Sequence, residues 1–284
     1  MARLLKYLIG GIEEMSASMI WKGRLGVPYQ GSKNAIAKEI ISVLPTGRRF
    51  VDLFAGGCAM THAAMISGKY DTFLANDLHG FGLRLFRDAI SGKCNGRWRE
   101  WVSREEFFEK RDKDPLISLC WSFGNNMATY CYAEKIIDEK KSAHEGIING
   151  VKTQRKVQCQ ALERLQALER LQADFGMFED FKHEDGDVVY CDPPYANCSE
   201  PYRFLARKGI DFDNSAFWAW CEKQDYPVFV SEYSAPSGFT PIWSKGKKAM
   251  MNSFKDGHYG EHREFVFVQD RFAGRYQTDL FGNI

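Results

Sequence analysis

An aspartate, two prolines and a tyrosine stand in a row in VVYCDPPYANC, residues 188–198, directly after an apolar run. Asp192 offers a carboxylate at the end of what reads as a strand. Pro193 and Pro194 fix the backbone and remove amide donors, so that carbonyl oxygens face the site without competing donors. Two such acceptors, Asp192 and the Pro193 carbonyl, can bind both hydrogens of an aromatic amine such as adenine's exocyclic nitrogen. Its lone pair then leaves the ring conjugation and the nitrogen becomes nucleophilic. Tyr195 supplies a face on which a base swung out of a stack can rest. The structural alternative is a rigid turn after a strand, a common use of Asp-Pro pairs. Cys191 invites comparison with thiolate attack on a ring, but it precedes the acid inside the strand and so points to the opposite face. Its expected role is that of a buried thiol.

A second set lies upstream. RFVDLF followed by AGG reads as a strand and a glycine turn, in which Gly56 and Gly57 let backbone approach a ligand. Asp77, in LAND, follows at about the ~20-residue offset that ribose-binding acids show in nucleotide-binding sheets. Neither GxGxxG nor GxxxxGK[ST] occurs, which disfavours a pyrophosphate or triphosphate and favours a nucleoside with a small charged tail. Asp52 can receive a cationic group there, or bond the turn's own amides. In PYQGSKN, Tyr29 offers a ring, Gly31 a close backbone approach, and Lys33 an ammonium ahead of a helix whose free amides favour anions. The carboxylate of S-adenosylmethionine would suit that place; a solvated lysine is the plainer reading.

These residues need a sheet to gather them. Asn34 is placed to cap a helix through AIAKEIISVL, which Pro45 stops. RFVDLF, the helix-compatible CAMTHAAMIS and DTFLAND then form a βαβ unit. Strands resume at DVVYCD, YPVFVSEY and EFVFVQD, apolar enough for a sheet covered on both faces. Residues 81–180 read as mostly helical and inserted, and the tandem ALERLQALERLQ places leucines 162, 165, 168 and 171 along a packed helix. The expected organisation is an N-terminal extension (1–24), a catalytic α/β domain (25–80 and 181–284) and a helical insertion (81–180).

Composition narrows the classes. The net charge of +1 across 284 residues gives no global basic field, so contact with a polyanion must be local. Eight cysteines without a CxxC pair fit a reducing compartment and no structural zinc, and His258 and His262 lack companion ligands. The N-terminal apolar run is too short for a membrane span, and a cytoplasmic protein is expected.

YQGSK, DLFAGG, the Asp77 segment and DPPY, in this order with a helical insertion before DPPY, resemble the Dam-type DNA adenine methyltransferases of bacteria and phages. The likeness runs from about residue 28 to 268. It implies a Rossmann-like S-adenosylmethionine-dependent methyltransferase sheet, with S-adenosylmethionine as cofactor and double-stranded DNA as partner. By resemblance, Tyr29, Lys33, Asp77 and Asp192 fall on the family's cofactor contacts; Gly31, Asp52, Phe54, Gly56 and Gly57 complete the candidate cofactor-binding set. Asp192, Pro193, Pro194 and Tyr195 form its catalytic tetrad. WSFGNNMATYCY lies where the family carries its target-recognition segment, making Asn125, Asn126 and Tyr130 candidate DNA contacts. Ser32 stands where the family usually has a second glycine, and Cys58 interrupts the usual G-x-G turn.

Two basic tracts could meet phosphates: KTQRK, with Lys152 and Arg155, and SKGKKAMMNSFK, with Lys247 and Lys248. Tryptophans among the arginines of residues 97–101 can grip a backbone or pack a helix. The alternatives at this stage are an RNA or cytosine amino-methyltransferase, or a catalytically silent cofactor- or DNA-binding module.

Overall fold

The computed structural model describes residues 25–94, 96–97, 100–150, 168–195, 212–247 and 262–276. Seven strands form one sheet: β1 Arg49–Asp52, β2 Thr72–Asn76, β3 Leu171–Asp174, β4 Asp187–Cys191, β5 Val228–Glu232, β6 Phe239–Lys247 and β7 His262–Gln269. Their order is β3-β2-β1-β4-β5-β7-β6. The first five in that order run parallel, and β7 is antiparallel to both β5 and β6. From β1 the chain winds outward through β2 and β3, then returns to lay β4 on the other side. The order therefore reverses between β1 and β4, and a crevice opens at their carboxyl ends.

Alternation along the strands divides the core in two. Phe50 and Tyr190 join one cluster; Val51, Val189 and Cys191 join the other. The first cluster receives buried residues of α1 Ala37–Val43, α2 Ala59–Ser67, α3 Phe81–Ile90, α4 Arg104–Lys110 and α5 Pro115–Cys120. A longer helix, α6 Ile137–Gly150, follows, and α7 Asn214–Lys223 buries Phe217 and Cys221 in the second cluster. A short α8 Asp270–Ala273 follows β7. Local chemistry sets several starts. The Asp114 carboxylate accepts from Leu116 and Ile117 amides ahead of Pro115, and Asp213 accepts from the Ala216 amide. At the far end of α1, Lys69 donates to the Ile41, Ser42 and Leu44 carbonyls, which the helix itself leaves unmatched.

Two expectations give way here. Asn34 does not cap α1: it lies in a 3-10 turn, Lys33–Ala35, and its amide nitrogen donates to the Leu25 carbonyl 2.7 Å away. The leucine stripe does not continue as a helix. Leu168 opens a 3-10 turn, and Leu171 begins β3, pairing with Phe73 of β2; residues 162 and 165 lie outside the described set. Sheet pairing and burial of Leu171 override the helical propensity of the repeat. Buried residues of α3, together with Trp121, Tyr130 and Leu171, share the first cluster. β6 was not expected as a strand. It is an edge strand, where Pro241 costs no ladder bond, and the register shifts between Pro241 and Trp243.

Candidate active site

Asp52 ends β1 and is only 1% exposed. Its Oδ2 accepts from the Thr61 amide (3.2 Å) and hydroxyl (2.7 Å), while its buried Oδ1 has no hydrogen-bond partner among the described residues. Burial pushes its pKa up to about 7, against the pull of Thr61, with Asp192 and Asp77 adding to the rise. Asp77 follows β2. Its Oδ2 accepts from the Gly56 amide at 2.9 Å and its Oδ1 from the Gly80 amide at 2.7 Å, so the acid ties the glycine turn to the start of α3. Burial raises its pKa despite those amides. Each carboxylate oxygen accepts more than one hydrogen bond, so these contacts leave capacity for a ligand hydroxyl.

The glycine turn is tight for a reason. Gly56 has φ +48°, and a Cβ there would stand 2.9 Å from the Tyr29 ring. Gly82, which the sequence reading overlooked, lets α3 press on this turn, since a Cβ on it would run into the Gly56 carbonyl. The turn is thus held by Tyr29, Asp77 and α3 together.

Lys33 does not stand free ahead of a helix. It is 6% exposed, with Nζ 2.6 Å from Asp192 Oδ1 and 3.6 Å from Glu264 Oε1. Burial alone would lower its pKa, but the Asp192 and Glu264 carboxylates reverse that and leave it raised. Burial in turn raises Asp192, with Lys33 opposing the rise. The Lys33 ammonium also lies 4.7 Å from the centre of the Tyr195 ring, and the Tyr195 hydroxyl donates to Glu264. Glu264 was not singled out from sequence, although an acid inside the apolar EFVFVQ was a signal that something buried would pair with it.

These groups converge on one cavity of about 340 Å³. Tyr29, Gly31, Lys33, Asp52, Gly56, Gly57, Asp77, Asp192 and Pro194 line it, beside an apolar wall of Phe54, Met177 and Phe178. Phe54 packs on Phe178 at 5.5 Å and edge-on to Phe212 at 5.7 Å. Tyr195 lies just beyond Asp192, edge-on to Tyr233 with centroids 4.7 Å apart. Cys191 is fully buried in the cluster on the other face, and burial holds its thiol well above the ordinary range. No group of three or more His, Cys, Asp or Glu among the described residues is placed to hold a metal ion.

The expected recognition segment is a folded loop closed by a bridge between Ser122 and Tyr130. Asn125 donates from Nδ2 to the Leu119 carbonyl at 2.8 Å, and Asn126 Oδ1 accepts from the Ala128 and Thr129 amides. Both asparagines use these groups to shape the loop. Tyr130 departs from the expectation of a DNA contact: it is 3% exposed, and its hydroxyl donates to the Val102 carbonyl at 2.7 Å. Trp101 packs too, stacked on Tyr132 at 5.8 Å and edge-on to Trp121. Lys152, Arg155 and Lys248 lie outside the described residues, and Lys247 is described only as the backbone end of β6. No helix among the described residues is long and apolar enough to cross a membrane.

The sequence profile for the D12 class N6 adenine-specific DNA methyltransferase family matches residues 29–216, taking in Lys33, the glycine turn, Asp77 and the DPPY stretch. The chain is also 24% identical over 247 residues to the Retron Ec67 DNA adenine methylase of Escherichia coli, a match covering 79% of this chain and 78% of that protein. With the profile spanning well over half of its length, the chain belongs to the D12 class of N6 adenine-specific DNA methyltransferases.

Proposed function

We propose that this adenine methyltransferase draws its methyl group from S-adenosylmethionine held in the cavity at the β1/β4 switch point, and acts on double-stranded DNA. The observation that carries the reading is the lining of that cavity: among the described residues, Asp52, Asp77 and Asp192 face it together with Lys33. When bound, S-adenosylmethionine supplies a methyl group activated on a positively charged sulfur. The residues fit such a molecule. Asp52 Oδ1, buried without a partner, is matched to a cationic group. Asp77 has oxygens for ribose hydroxyls, the Gly56–Gly57 turn admits the ligand against backbone, and Phe54 and Phe178 offer an apolar wall for a purine.

Asp192 and the Pro193 carbonyl accept the two hydrogens of the adenine amine, and Tyr195 stacks on the flipped base. Lys33 occupies Asp192 Oδ1, which leaves the second oxygen for the base. As the nitrogen lone pair forms the bond to the methyl carbon, the carbon–sulfur bond breaks and its electron pair leaves with the neutral thioether. The amine becomes cationic, the Asp192 carboxylate stabilises that charge where it develops, and one N–H proton then passes from the nitrogen through Asp192 to solvent. The segment of residues 121–132 serves as the DNA-facing element, with Asn125 and Asn126 setting its shape and Lys152, Arg155, Lys247 and Lys248 meeting phosphates. The reading places its work in the cytoplasm, with the DNA.

The test is transfer of tritiated methyl from S-adenosylmethionine to unmethylated duplex DNA, comparing the wild type with Asp192→Ala and digesting the product to nucleosides. Label in N6-methyl-2′-deoxyadenosine that disappears in the variant, with cofactor affinity kept, supports the assignment. Undiminished transfer by Asp192→Ala overturns it.

A further inference from the structure

Methyl transfer as outlined uses no residue of β7, yet Glu264 on that strand is fully buried and turned into the site. A carboxylate without exposure persists only where partners compensate its lost hydration. Its partners include Lys33 and Tyr195. Tyr195 is thereby held from three sides: its hydroxyl on Glu264, its face beneath the Lys33 ammonium, and its edge on Tyr233 at an interplanar angle of 83°. An aromatic ring that must receive a flipped base loses less entropy on stacking when its orientation is fixed beforehand.

We propose that Glu264 is a positioning residue for methyl transfer, locking the Tyr195 ring in its stacking orientation and sharing Lys33 with Asp192. The inference rests on the reading of Tyr195 as the platform for the flipped base. Glu264 joins β7 to the turn after β4, so the two segments that flank the base site move as one. Asp192 and Glu264 also divide one ammonium between them, at 2.6 and 3.6 Å, which fixes where Lys33 sits and hence which Asp192 oxygen faces the substrate.

Single-turnover transfer rates, S-adenosylmethionine affinity and the fluorescence of 2-aminopurine placed at the target adenine test this in four variants. Glu264→Ala is expected to lose roughly tenfold or more in rate while cofactor affinity stays within about twofold. Tyr195→Phe, which removes the hydroxyl that donates to Glu264 and also reaches Asp192, is expected to lose rate as well. The double variant should be no slower than the slower of the two single variants, because both changes break the Tyr195–Glu264 linkage. Glu264→Gln, whose amide oxygen still accepts from Tyr195, should recover most of the rate and of the 2-aminopurine signal. Losses that multiply in the double variant, or a Tyr195→Phe enzyme at the wild-type rate, overturn the proposal. If Glu264→Ala does not fold, Tyr195→Phe and Glu264→Gln decide it alone. Tyr195→Ala separates the two ideas: wild-type transfer in that variant removes the platform reading itself, whereas a crippled Tyr195→Ala beside an unaffected Tyr195→Phe removes only the role of Glu264.

Discussion

If S-adenosylmethionine seats a cationic group against Asp52, as proposed, its binding is expected to release a proton. Its pKa in the folded protein is about 7, against 3.8 for an ordinary aspartate. The folded state therefore holds a proton that the unfolded chain has given up, and the stability this group contributes is fully present below 3.8 and lost as pH rises through about 7. At about 1.4 kcal/mol per pH unit, keeping the buried carboxylate ionised at pH 8 costs the free protein roughly 4 kcal/mol. A cation seated against Oδ1 removes that cost and drives the proton off. Calorimetric titration of S-adenosylmethionine in buffers of different ionisation enthalpy should then show release of ~0.9 of a proton at pH 6 and close to none at pH 8.5, with affinity rising as pH climbs to about 7. Asp52→Asn keeps an acceptor for Thr61 and removes the ionisable group. It should abolish the proton release, weaken cofactor binding, and raise the stability of the free protein at pH 8 while converging on the wild type at pH 3. An affinity that is flat from pH 6 to 8, or a pH dependence that survives Asp52→Asn, refutes the reasoning.

Two further substitutions probe what holds the site. Gly82→Ala puts a methyl group against the Gly56 carbonyl, so α3 must retreat from the turn; we expect a loss of roughly 2–3 kcal/mol in denaturant unfolding together with weaker cofactor binding. A variant of wild-type stability would mean the turn yields freely. Tyr130→Phe leaves the buried Val102 carbonyl without its donor and should cost ~1–2 kcal/mol of stability, with DNA affinity unchanged within about twofold. Lost affinity at undiminished stability would restore Tyr130 as a DNA contact.

Strands that are apolar throughout were legible because their burial needs nothing from elsewhere: RFVD, TFLAN and VFVSE are what a covered parallel sheet requires. β3 and β6 were not, because edge strands owe their state to a neighbour. LQAD buries one leucine against β2, and FTPIWSKGK carries a proline, a glycine and two lysines that local rules assign to a loop. Asn34 failed for a related reason. Its identity fits an N-cap, but the Leu25 carbonyl, nine residues away in sequence, competes for its amide, and no local pattern shows that competition.

The site shows the same division between residue type and pairing. Asp52, Asp77 and Asp192 could be placed on one sheet edge from sequence because each closes an apolar strand and strand ends in a parallel sheet share an edge. Which charges neutralise which could not be read, since pairing depends on side-chain reach across strands that are distant in the chain. Lys33 looked available to a ligand carboxylate; in the fold it is committed to Asp192, just after β4, and to Glu264, on β7. The charge balance that results runs against the protein as a whole. The chain is nearly neutral, whereas among the described residues Asp52, Asp77 and Asp192 line the cavity with Lys33, whose ammonium is already paired with Asp192 and Glu264. Burial raises the pKa of Asp52, Asp77 and Asp192 alike. On the proposed function, a positively charged methyl donor is expected to suit this lining better than its neutral demethylated product does. The product should therefore bind more weakly than the donor, and more weakly still relative to it as pH rises through about 7; equal affinities for the two would refute the charge argument.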